Sequence, residues 1–103
     1  MQKNKWTFLT NHGRVFAYIA RHSRTTTRKI AREVGITERA VQKIIRDLEA
    51  DSYIIRNREG RNNNYEVDPG RPMRHPMHRE HMVGNLLAAL GCDLDSSEGP
   101  NEK

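Results

Sequence analysis

Hydrophobic positions fall at helical spacing in the first half of the chain and in short extended runs after it. Trp6, Phe8 and Leu9 open an apolar cluster. Thr10 or Asn11 can cap a helix over residues 14–22, in which Val15, Phe16, Ile19 and Ala20 share one face. Thr25, Thr26 and Thr27 are β-branched, suited to a very short strand followed by a cap. A second helix follows over 28–34, with Ile30, Ala31 and Val34 inward, and Gly35 closes it. Thr37 caps a third helix over 38–50, where Val41, Ile44, Ile45 and Leu48 recur at i, i+3, i+4 and i+7. Tyr53 to Asn57 reads as a strand, 58–63 as a turn, and Asn64 to Val67 as the return strand. Prolines 69, 72 and 76 and Gly70 stiffen a connector over 69–76. A last helix is expected from about His75 to Leu90, with an apolar face of Met82, Val83, Leu86, Leu87 and Leu90.

This pattern predicts a mainly α fold with a small β-hairpin: a three-helix core, a wing and a C-terminal helix. Residues 1–68 would form the domain, 69–91 a linker and a dimerisation helix, and 92–103 a disordered acidic tail. At 103 residues the chain holds one domain. With 35% hydrophobic and 30% charged residues the core is modest and the surface strongly ionised. No apolar run approaches the ~20 residues of a membrane span, and the stretch MQKNKWTFLT lacks the long apolar run expected of a secretory signal. A single cysteine, Cys92, allows no internal disulfide and suits a cytoplasmic setting.

Charge changes the picture. The net charge is +5, but residues 1–74 carry 16 basic and 8 acidic groups, while 75–103 carry 2 and 5. The basic excess therefore sits on the predicted core, where it attracts polyanions by counterion release. Ala31, Gly35 and Val41 have the spacing of a helix-turn-helix: a small residue at the close approach, a glycine in the turn and a branched residue locking the second helix. The hairpin after it carries Arg58, Gly60, Arg61, Asn62 and Asn63 at its tip, the composition of a wing that can reach a minor groove or the phosphate backbone.

The stretch GITERAVQKIIRDLEADSYIIRNREGRNNNYEVDP resembles the winged helix-turn-helix core of transcriptional regulators of the multiple-antibiotic-resistance and arsenic-repressor types. It departs from their pattern at Ser52, where glycine commonly precedes the first wing strand. The resemblance extends over roughly residues 6–90. It implies a homodimer on double-stranded DNA with the third helix in the major groove. Matched onto this sequence, Arg39, Gln42 and Lys43 would meet base edges, and Arg28, Lys29, Thr37 and Arg46 phosphates. Arg58, Arg61 and Asn62 would be wing contacts. Terminal segments would supply the dimer interface through Trp6, Phe8, Met82, Val83, Leu86, Leu87 and Leu90.

Other chemistries are thinner. His78 and His81 could share a helical face and, with Cys92, make a metal- or redox-responsive sensor. The stretch lacks a paired Asp/His motif and a CxC, so no metal or cofactor is expected. Asp93 beside Cys92 would raise its thiol pKa, against reactivity. No nucleophile has an adjacent base, and no glycine loop cradles phosphate, so the chain reads as a non-enzyme. A winged-helix adaptor that binds protein rather than DNA is the remaining alternative.

Overall fold

The computed structural model describes residues 6–92; of the tail expected at 92–103, residues 93–103 lie outside them, while Cys92 is buried in the core. Three helices form the centre: α1 (Asn11–Arg21), α2 (Thr27–Val34) and α3 (Glu38–Ala50). A threonine opens each one. The hydroxyls of Thr10, Thr26 and Thr37 accept from the backbone N–H groups of Gly13, Lys29 and Ala40 at 3.0–3.1 Å. Between α2 and α3, Gly35 adopts φ 86°, and its N–H and that of Ile36 both return to the Ala31 carbonyl. That turn aims α3 across α2. Val15, Ile19, Ile30, Val41 and Ile45 are fully buried between the three helices.

A three-stranded antiparallel sheet closes one side: β1 (Arg24–Thr25), β2 (Ile54–Glu59) and β3 (Asn62–Val67), in the order β1-β3-β2. The expected six-residue hairpin turn is shorter than read. Glu59 pairs with Asn62, so only Gly60 and Arg61 turn the chain, with Gly60 at φ 61°. Arg58 and Asn62 therefore belong to strands. Polar residues of low β propensity hold these positions because cross-strand partners fix them. Asn64 donates to Glu59 at 3.2 Å, and Arg24 on β1 pairs with Glu59 at 3.1 Å. Ser52, just before the hairpin, is held at φ 67°, the left-handed backbone that a glycine would adopt freely. None of the helices among the described residues is long and apolar enough to cross a membrane.

The last helix differs most from expectation. It spans only Val83–Ala89 (α4) rather than 75–90. Residues 72–82 instead form a closed loop: Pro72 bridges Met82, Met73 donates to the His81 carbonyl at 3.0 Å, and successive turns run from His75 to His78 to His81. HPMHREHM has no apolar face to bury, so backbone pairing at the loop's neck replaces helix. Val83 and Leu87, expected at a dimer interface, are buried in the chain's own core at 6% and 0% exposure. Each such side chain contributes roughly 1.5–3 kcal/mol on burial, enough to hold a helix too short to stand alone. Gly84 makes the docking possible. Its N–H donates to the Pro69 carbonyl at 2.9 Å, and a Cβ there would lie 2.8 Å from the Pro69 side chain. Of the expected interface residues, Trp6, Phe8, Met82 and Leu90 remain exposed and Leu86 half-buried.

Candidate nucleic-acid interface

Helix α3 turns through about 100° per residue. With Val41, Ile44, Ile45 and Leu48 inward, Arg39, Lys43 and Arg46 face directly away from the core and are exposed. Glu38 and Gln42 lie on the flank beside the wing, and Asp47 on the flank beside α1.

The wing flank forms a groove of about 500 Å³. Arg28 at the start of α2, Gln42 and Arg46 on α3, and Arg58 and Arg61 on the hairpin line it together, as do Arg56 and Asn63. Strand alternation explains the last two. Ile54 is buried against the core, so Arg56 and Arg58 follow on the same face of β2 and project past the core over α3. Asn63 and Tyr65 are their cross-strand partners. Arg56 was legible from this period-2 spacing but is not among the expected contacts. It is anchored by Glu49 at 3.1 Å. Glu38 enters the groove as its single lining carboxylate and accepts from the Thr27 hydroxyl at 2.8 Å.

The other expected contacts are placed differently. Arg39 and Thr37 are exposed next to the groove rather than in its lining. Lys29 is exposed on α2, and half-buried Asn62 opens β3. Lys43 is committed elsewhere: its ammonium lies 3.1 Å from Asp47, whose carboxylate also lies 2.8 Å from Nε2 of His12 on α1. The hydrogen bonds from His12 first, then Lys43, hold the Asp47 carboxyl below the usual range. Among the described residues, Arg28, Arg39, Arg46, Arg58 and Arg61 make no ion pair.

The sensor residues do not converge. His75, His78 and His81 sit in turns rather than on a helix, so the shared helical face expected for His78 and His81 is not formed. Among the described residues no group of three His, Cys, Asp or Glu side chains could hold a metal ion. Cys92 is buried, with its thiol 3.7 Å from the Ala17 carbonyl, and burial pushes its pKa up.

Residues 9–55 match the sequence model of the winged helix-turn-helix DNA-binding family. The match runs from just before α1 to the start of β2, and with the three-stranded sheet it makes the fold a winged helix-turn-helix. It supports a DNA-binding regulator. No curated protein matches the chain in sequence.

Proposed function

We propose that this protein is a sequence-specific transcriptional regulator of the multiple-antibiotic-resistance or arsenic-repressor kind, binding double-stranded DNA as a homodimer on a pseudo-palindromic site. The observation that carries it is the arginine-lined groove beside the exposed face of α3: among the described residues its Arg28, Arg46, Arg58 and Arg61 have no carboxylate partner, while Arg56 and the neighbouring Lys43 do. Cations left open at the surface of a recognition helix have phosphates as their natural counter-charge.

In this reading α3 enters the major groove. Arg39 and Gln42 read base edges, Arg to guanine and Gln to adenine, and Lys43 joins them once phosphate competes with Asp47. Arg28, Lys29, Thr37 and Arg46 contact the backbone, and Arg58, Arg61 and Asn62 carry the wing contacts. Two copies place their α3 helices about 34 Å apart, one turn of B-DNA.

Selection of bound duplexes from a random pool tests this directly. An inverted repeat with half-sites one helical turn apart is the expected product. Arg39→Ala with Gln42→Ala should then cost about 1–3 kcal/mol per contact on the selected site and leave non-specific binding nearly unchanged. Failure to enrich any duplex at low salt would remove the DNA reading and favour a protein-binding adaptor.

A further inference from the structure

Glu38 stands out among the residues that line the arginine groove. Five guanidinium groups surround the same space, those of Arg28, Arg46, Arg56, Arg58 and Arg61. Among the described residues Glu38 pairs with none of them, although Glu49 takes Arg56 and Glu59 takes Arg24. Its partner is neutral instead: the Thr27 hydroxyl, at the start of α2, donates to Oε2 at 2.8 Å. Oε1 accepts from nothing among the described residues. The carboxylate is thus held in place without consuming a groove arginine, and one of its oxygens stays open.

Two effects within the chain favour an acid here. It lies in the first turn of α3, where the helix dipole suits it, and its bond to Thr27 braces α2 against α3. Neither requires the carboxylate to stand inside the groove, where it opposes every phosphate that the arginines attract. A duplex relieves that opposition only where it offers a hydrogen-bond donor. In the major groove the donors are the amino groups of cytosine and adenine, whereas guanine and thymine present acceptors, which a carboxylate repels. Cytosine shows its N4 amino group alone, while adenine sets the N7 acceptor beside its own. A carboxylate in this position therefore discriminates by repulsion as much as by attraction.

The spacing along α3 agrees. Glu38, Gln42 and Arg46 fall at i, i+4 and i+8 and all line the groove. Each such step covers about 6 Å of helix, close to two base-pair rises of about 3.4 Å. We infer that Glu38 is a specificity-determining residue that accepts from the N4 amino group of a cytosine, about two base pairs from the adenine assigned to Gln42. This rests on the DNA reading above and adds a base to it.

Parallel selections from a random duplex pool with the full chain, Glu38→Ala and Glu38→Gln test the assignment, followed by titration of the selected duplex and its single-pair substitutions. For wild type, exchanging the cytosine pair for a thymine pair replaces the donor by an acceptor and should lower affinity about tenfold or more. Glu38→Ala should bind those two duplexes within about twofold of each other and keep its preferences elsewhere in the half-site. It should also bind random duplex slightly tighter, since a negative charge leaves the groove. Glu38→Gln, which carries both a donor and an acceptor, should move the selected base from cytosine to adenine. Glu38 is exposed, so both variants should fold, and thermal melting checks it. A site enriched with the same base preferences by wild type and both variants would overturn the assignment, leave Glu38 as a brace between helices, and spare the DNA reading. Loss of preference at one and the same base pair in Glu38→Ala and Gln42→Ala would overturn it too. A wild type that enriches no duplex at low salt would overturn the DNA reading and this inference with it.

Discussion

The two ends of α3 treat charge in opposite ways. Toward its start and middle, Arg39 and Arg46 stand open, and the wing brings Arg58 and Arg61 alongside rather than carboxylates. Toward its end, Asp47 is shared by His12 and Lys43, Glu49 takes Arg56, and Asp51 takes Arg74 at 3.4 Å. Exposed pairs of this kind contribute little to stability, ~0–1 kcal/mol each. Their significance is therefore electrostatic rather than energetic. They neutralise one end of the helix and leave the other positive, so that the counter-ions a polyanion can displace are concentrated at the groove.

The sharpest way to break this contrast is to reverse the open end. Arg46→Glu combined with Arg58→Glu places two carboxylates where phosphate is expected. Charge-assisted hydrogen bonds are worth about 1.5–3 kcal/mol each, so DNA affinity should fall by at least ~100-fold near physiological salt. The slope of log affinity against log salt should flatten by about 0.9 per lost phosphate contact. Titration of a fixed duplex at several salt concentrations measures both. Both residues are exposed, so melting should scarcely change. An unchanged salt slope would mean that the groove does not face phosphate.

The second test disturbs the apolar end alone. Gly84→Ala forces a methyl against the Pro69 side chain and carbonyl, at 2.8 and 2.9 Å, where backbone must move. Overpacking of this kind costs about 1–3 kcal/mol. Thermal unfolding should show the loss, because Val83 and Leu87 are displaced from the core with α4. DNA affinity per folded molecule should change less than about twofold, since α4 supplies nothing to the groove. A matching collapse of affinity would show that the two ends are mechanically coupled.

How much of this was readable beforehand follows from which forces are local. The three helices and their caps were, because threonine hydroxyls and a left-handed glycine act within a few residues of themselves. Ser52 stands where the resembled regulators commonly have glycine, and the backbone there is left-handed. The groove was half legible. Arg28, Gln42, Arg46, Arg58 and Arg61 were expected, whereas Arg56 required extending β2 in register, and Asn63 rather than Asn62 required knowing that the turn holds only two residues. What could not be read was non-local. The apolar face of 82–90 looks the same whether it meets a second copy or the chain's own core; that Val83 and Leu87 meet the core, with Gly84 pressed against Pro69, shows only in the fold. At Asp47 only half was non-local: Lys43 lies four residues before it on α3, whereas His12 reaches the same carboxylate from α1.

The smallest expected effect lies at that shared carboxylate. Asp47 is held below the usual carboxylate range in the folded chain. A depressed folded-state pKa contributes stability that is present above the unfolded value and is lost as pH falls through the folded one. Wild type should therefore exceed Asp47→Asn in urea stability at neutral pH, and the gap should close as the pH drops through and below the carboxylate range. The same substitution frees Lys43, and it adds one unit of positive charge to the outward face of α3. Non-specific DNA affinity should rise slightly, with a salt slope steeper by up to about 0.9. If the stability gap closes on schedule but the salt slope does not steepen, Lys43 lies off the DNA path, and the contact surface is confined to Arg39, Gln42 and the wing flank.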